Sequence, residues 1–234
     1  LIFYFGHTAT FFINKLVLAG LVESRINPGF ESMFAIGVDE MSWDDLSDVR
    51  YNWPSVAEVR AYRQSVRATV DRIIRSKTLT LPIGWKDPFW IVLMGIEHER
   101  IHLETSSVLI RQHQLKYVQT HQAWAPCADS AAAPENTLVD IPAAELVLGR
   151  ERSDPTIYGW DNEFGHHEAS TAAFKASRML VSNQEFLAFV EAGGYADESL
   201  WPEEGAAWKK FAQAEHPTFW VKDGTQWRLR LMLE

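Results

Sequence analysis

Cysteine is almost missing from this chain: Cys127 stands alone among 234 residues. That excludes an intrachain disulfide framework and a thiolate-built zinc site, and it fits a reducing compartment, so the expected location is cytoplasmic. Long apolar runs are missing as well. The longest, Phe89 to Met94, is far too short to span a bilayer, and Leu1 to Phe5 lacks the basic flank and cleavage pattern of a secretion signal. No membrane association is expected. Basic charge is in deficit, with 22 Lys and Arg against 31 Asp and Glu for a formal charge of -9, which repels phosphate backbones. Nucleic acid is therefore not an expected partner. An initiator methionine is also lacking, and the closing run from Arg228 to Glu234 reads as a strand cut before its partner. Both ends are expected to be cuts.

What is present is an ordinary globular composition, 47% hydrophobic and 23% charged, on a chain long enough for two modest domains with a substantial core. From Phe3 to Leu18 apolar residues recur at helical spacing, with Phe3, His7 and Phe11 near one face and Gly20 as a stop. A second helix starts at the capping box Ser55-Val-Ala-Glu58 and runs to about Arg75, with a charged, solvated face. Asp87-Pro88 opens a third, which continues through His98 and His102 to about Arg111. The stretch from Phe30 to Leu46 is less defined, with Phe34 and Val38 able to face a helical core. Pro, Ala, Asp and Ser dominate between Ala125 and Asn136, the composition of a linker. Beyond it come short strands such as Glu145 to Leu148, and one helix opened by the capping box Ser182-Asn-Gln-Glu185 and stopped at Gly193-Gly194. The aromatic residues have no basic face around them, so core and pocket lining is expected rather than base stacking.

The chemistry concentrates in His98-Glu99-Arg100-Ile101-His102. Two imidazoles four residues apart on a helix project from one side and can share a metal ion. The stripe they occupy, with Ile91, Met94, Thr105 and Leu109, is mostly apolar. Read literally, the motif is also H-E-x-x-H, in which Glu99 would be the general base of a zinc hydrolase. No second-turn histidine follows it, and Glu104 falls roughly on the opposite side of the helix from His102. A third ligand separates these readings. His7 is the candidate, preceded by Gly6, which permits a close helix approach. An all-histidine site on facing helices suits iron or copper as well as zinc.

The segments Phe3-Tyr-Phe-Gly-His-Thr-Ala-Thr-Phe-Phe12 and Gly95-Ile-Glu-His-Glu-Arg-Ile-His-Leu-Glu-Thr-Ser107 resemble the iron-binding segments of the sulfoxide synthases of ergothioneine and ovothiol biosynthesis. Gly159-Trp-Asp-Asn-Glu163, His167-Glu168 and Phe174 to Phe189 resemble the second domain of that family, which is similar to formylglycine-generating enzymes. The resemblance implies an α+β chain. A DinB-like helical bundle over 1–124, its first helix missing, would be followed by a linker at 125–137 and a truncated sulfatase-modifying-factor, C-type-lectin-like domain over 138–234. It further implies an Fe(II) site at His7, His98 and His102, with Glu104 as structural support and dioxygen as co-substrate. Cysteine and histidine are the implied substrates, because the acidic stretch Glu40 to Leu46 stands where the ergothioneine branch carries arginines for gamma-glutamylcysteine. Hercynine with gamma-glutamylcysteine remains the alternative pair. Asp161, Asn162 and Glu163 fit either a substrate cleft or a capped structural turn. The family's catalytic tyrosine is expected beyond Glu234, so this piece can bind iron without turning over. A zinc hydrolase and a non-catalytic DinB-like module stay open as other classes.

Overall fold

The computed structural model describes residues 1–35, 52–125, 131–153 and 158–234. The readings made on Val38, on residues 40–46 and on Cys127 lie outside them. Contacts group the chain into two compact units, Leu1–Leu109 with Gly149–His166, and Ile110–Leu148 with His167–Glu234.

Helix α1 (Ile2–Leu18) and helix α3 (Val56–Ser76) build the core of the first unit. The buried residues of α3, Val59, Tyr62, Val66, Thr69 and Ile73, recur at alternating steps of three and four, so one stripe faces inward. Ala9, Ile13 and Leu16 of α1 pack against Tyr62, Val66 and Ile73. The capping box forms as read: Ser55 Oγ accepts from the Glu58 amide, and Glu58 accepts from the Ser55 amide at 2.8 Å. The charged face of α3 is not wholly solvated, since Arg63 donates to the Phe5 carbonyl and to Thr8 Oγ1, both at 2.7 Å.

A short helix α2 (Pro28–Met33) starts at Asn27, whose side chain accepts from the Phe30 amide, with Pro28 in the first turn. Glu31 is fully buried yet satisfied: it accepts from the Ile26 and Asn27 amides at 2.8 and 2.9 Å and pairs with Arg25 at 3.1 Å. Phe34 follows, also fully buried. Helix α4 (Pro88–Gln112) opens where Asp87 accepts from the Phe89 amide at 2.8 Å.

The two glycines near the histidines accept aromatic rings. A Cβ at Gly6 would overlap the Phe34 ring, and one at Gly95 would overlap the Phe12 ring. The close approach expected at Gly6 is therefore to Phe34 after α2, whereas the contact between α1 and α4 is made at Gly95.

Residues 149–166 lie in sequence between strands β2 (Ala144–Leu148) and β3 (His167–Thr171) and group with the first unit. Trp85 and Trp90 stack at 4.6 Å between ring centroids, Tyr158 lies 5.0 Å from Trp90, and Phe164 lies 4.9 Å from Trp85. The neck of the excursion closes where the Gly165 amide donates to the Arg150 carbonyl at 3.1 Å. A division of the sequence at 125–137 places this segment with the later residues, but its rings make it part of the earlier unit.

The second unit is strand-rich. Strand β1 (Leu138–Ile141) pairs with β4 (Phe174–Ser177), β2 (Ala144–Leu148) with β3 (His167–Thr171), and β5 (Trp220–Asp223) with β6 (Gln226–Leu229), all antiparallel. The closing run is thus not a strand lacking its partner. β6 ends at Leu229 and is the second arm of a hairpin, because Gly224 adopts φ 61° at the turn that returns it to β5. Helix α5 (Asn183–Glu191) has its expected capping box, and Phe186 packs edge-on to Trp220. Helix α6 (Glu203–Ala212) precedes β5. The chain is of mixed α and β structure, with helices dominating the first unit. No helix among the described residues is long and apolar enough to cross a membrane.

Candidate metal centre

Three residues distant in sequence meet within the first unit. One ring nitrogen from each of His7, His98 and His102 falls within 4.8 Å of the other two, and no other such group of His, Cys, Asp or Glu occurs among the described residues. His98 Nε2 stands 3.2 Å from His7 Nε2 and 3.1 Å from His102 Nε2. Helix α4 sets the pair by its four-residue spacing, and α1 brings His7 to them. His7 and His98 are buried, while His102 is half-buried.

Each ring is held. His7 Nδ1 lies 2.6 Å from the Phe34 carbonyl, which can only accept, so Nδ1 carries the proton and Nε2 presents a lone pair. His98 stacks on Phe11 at 3.8 Å with planes 9° apart, and Phe3 stacks on His7 at 5.2 Å. Tyr4 lies against His102.

The rings cannot satisfy one another with protons alone. His98 Nε2 can donate to only one of its two neighbours, and if it does, its buried Nδ1 is left as an acceptor without a donor. If it does not, its lone pair faces that of His7 across 3.2 Å. A cation among the three nitrogens removes the conflict. Metal–nitrogen bonds of about 2.0–2.1 Å at octahedral to tetrahedral angles set nitrogens about 2.8–3.4 Å apart; the two separations from His98 lie in that range, and the His7 and His102 nitrogens, within 4.8 Å of each other, would draw together on a shared ion. The donor set fits a divalent metal held by three neutral imidazoles, with the remaining positions open to ligands.

Protonation is disfavoured at all three. Burial pushes the His98 imidazole down to about 3, reinforced by the neighbouring charges of His102, His7 and Lys15. Burial also lowers His7, against the opposing pull of the Phe34 carbonyl, and lowers His102. The folded values lie below the ordinary value of 6.5, so the unfolded chain takes up protons first as the pH falls. Stability of the metal-free chain is therefore intact above pH 6.5 and is lost on the way down towards the folded values. His98 alone should withdraw ~2 kcal/mol between pH 7 and pH 5. Urea titrations at the two pH values measure this, and equal midpoints would contradict the buried, neutral site.

A cavity of about 930 Å³ opens beside the cluster, within the first unit. Its walls include His7, His98 and His102, the α1 residues Phe11, Asn14 and Lys15, and Trp85. Tyr158, Trp160, Asp161 and Asn162 form the remaining wall. In the 161–163 segment Glu163 caps the turn by accepting from the Trp160 amide at 2.7 Å, and Asp161 and Asn162 line the cavity. Lys15, Trp85 and Tyr158 were not legible as site residues, although Lys15 shares the i, i+4, i+8 stripe of His7 and Phe11. The Tyr158 hydroxyl is buried without a partner among the described residues, and burial raises it well above the ordinary phenol value.

Two glutamates of the motif lie elsewhere. Glu99 pairs with Arg63 at 3.6 Å and does not line the cavity. Glu104, read as a structural support, is exposed, and its side chain makes no hydrogen bond or ion pair among the described residues.

Residues 1–106, the part of the chain that carries the three histidines, match the DinB superfamily. The wider chain is similar to proteins named as an ergothioneine biosynthesis protein and as hercynine oxygenases. It is 27% identical to ergothioneine biosynthesis protein 1 of Neurospora crassa over 205 residues, 81% of this chain and 23% of that protein. It is 29% identical to the hercynine oxygenase of Mycolicibacterium smegmatis over 211 residues, 86% of this chain and 46% of that enzyme. The hercynine oxygenase of Mycolicibacterium thermoresistibile is 37% identical over 83 residues, 36% of this chain. The chain spans less than half the length of these relatives.

Proposed function

We propose that this chain is part of a non-haem Fe(II)-dependent sulfoxide synthase that joins the sulfur of cysteine to the imidazole of histidine with dioxygen, as in ovothiol biosynthesis. The observation that carries the reading is the convergence of three neutral imidazoles at the edge of a cavity roomy enough for small-molecule ligands. The division into a DinB-like bundle over 1–124 and the beginning of a sulfatase-modifying-type domain over 138–234 belongs to the same proposal, as does a cytoplasmic location. His7, His98 and His102 would hold the Fe(II), and the metal would supply the redox chemistry by which dioxygen joins sulfur to imidazole. The protein's own share is positioning: Phe34 fixes the His7 tautomer, Phe11 fixes the His98 ring, and the aromatic walls exclude water from the reacting groups.

A second reading takes hercynine and gamma-glutamylcysteine as substrates, and the names of the relatives favour it. The distinction rests on the acidic wording of residues 40–46. The zinc hydrolase has less support, because its general base would have to be Glu99, which is engaged by Arg63.

Dioxygen uptake and product mass, measured with each substrate pair on the Fe(II)-loaded full-length protein of which this chain is part, test the proposal. Uptake that requires cysteine plus histidine and yields a histidyl-cysteine sulfoxide is expected. Product from hercynine and gamma-glutamylcysteine alone would transfer the assignment to the second reading. Zinc-dependent hydrolysis that disappears in Glu99→Gln would overturn both.

A further inference from the structure

Two opposite charges stand in the walls of the metal-side cavity, and the geometry of the three histidines uses neither. Lys15 lies one helical turn beyond Phe11 and two beyond His7, on the same stripe of α1. Its ammonium sits 5.4 Å from the centre of the Phe11 ring, the ring that stacks on His98. Among the described residues the Lys15 side chain forms no ion pair or hydrogen bond, although the residue is half-buried in an acidic chain. A lysine stem laid along apolar surface is ordinary, so what sets Lys15 apart is its place in the cavity wall without an anionic partner among the described residues. Asp161 stands in the wall formed by residues 158–162. Its carboxylate accepts only from the adjacent Asn162 amide, at 3.1 Å, and has no cationic partner among the described residues.

We propose that Lys15 and Asp161 are the charge-recognition residues of this cavity, Lys15 receiving the carboxylate and Asp161 the ammonium of an α-amino acid bound beside the three histidines. This rests on the function proposed above for its choice of ligand, and it names residues that determine which ligand enters. A zwitterion needs one partner of each sign, placed apart, and a pocket that offers both on separate walls fixes orientation as well as identity. Phe11, Trp85 and Trp160 line the same cavity and lower the local polarity; Asp161 itself is exposed, so the interaction it makes is the weaker of the two. Bound this way, the amino acid's side chain is left free to face the histidine cluster. Both residues act on binding, so they are positioning residues.

The test is calorimetric titration of the full, metal-free chain with L-histidine, with histamine, which lacks the carboxylate, and with imidazolepropionate, which lacks the ammonium. Lys15→Met should weaken L-histidine and imidazolepropionate by about tenfold or more and leave histamine within about twofold. Asp161→Asn should weaken L-histidine and histamine and spare imidazolepropionate. Lys15→Arg should retain most of the affinity, because the positive charge is kept. Equal losses for all three ligands, losses unrelated to the group removed, or no binding of L-histidine to the unaltered chain would overturn the proposal. The metal reading is scored separately by Co(II) absorption of the same samples. A chain that loads Co(II) but ignores these charges sinks this inference alone, and charge selectivity without Co(II) loading sinks the metal reading alone.

Discussion

Replacing His98 with alanine is expected to lower the affinity for Fe(II) or Co(II) by at least about 100-fold, since loss of a mere outer-shell partner of a ligand already costs about 10–100-fold. The effect should exceed that of His102→Ala. His98 Nε2 is the shared neighbour of the other two nitrogens, at 3.2 and 3.1 Å, and His102 is the more exposed of the three. The same substitution carries an internal check, because His98 is the histidine most strongly held neutral by burial. Without it, the decline in stability between pH 7 and pH 5 should become shallower. Glu104→Ala serves as the control on the same helix: its side chain is exposed and outside the cluster, so affinity should stay within about threefold. Anaerobic metal titration followed by Co(II) absorption reads all three variants. An unchanged affinity in His98→Ala would remove the three-histidine site from consideration.

The parts of this site that were legible in the sequence are those in which one local rule suffices. The spacing of His98 and His102 places two rings on one helix face, whatever the remainder of the chain does. The capping box at Ser55 and Glu58 fixes where α3 begins through contacts three residues apart. His7 stood out because a polar residue on an apolar stripe needs a reason. What could not be read involves partners far apart in sequence. The proton on His7 is fixed by a carbonyl 27 residues away, at a position with no motif of its own. The cavity wall at 158–162 reaches the first unit through ring contacts between Trp90 and Tyr158, and between Trp85 and Phe164. Stacking of that kind leaves no periodicity in the sequence. Gly6 was read as permitting a close helix approach, but the Phe34 ring fills the space there, and a glycine's residue type does not say which element will do so. That Glu31 is buried was equally hidden, because its compensation comes from two backbone amides in a turn and from Arg25.

The filling of that space by Phe34 links packing to metal binding through one residue. In a helix interior, Gly→Ala ordinarily stabilises by up to about 1 kcal/mol. At Gly6 the sign should reverse, because the added methyl would occupy the position of the Phe34 ring, a fully buried side chain with no room to retreat. The expected cost is about 1–3 kcal/mol, read as a lower urea midpoint. A second consequence follows from the backbone of the same residue. The Phe34 carbonyl holds His7 Nδ1 at 2.6 Å, so a displaced Phe34 releases the His7 ring and its tautomer. Gly6→Ala should therefore also weaken metal binding, by about tenfold or more. General loosening can be told from this specific route with Val66→Ala, which opens the core of the same unit on α3 but touches neither Phe34 nor the histidines. If Val66→Ala lowers the urea midpoint as much as Gly6→Ala and lowers metal affinity equally, the Phe34 carbonyl has no special part in the site. If only Gly6→Ala lowers the affinity, the second coordination sphere of His7 is set by the packing of α2 against α1, and the metal centre depends on a glycine that never touches it.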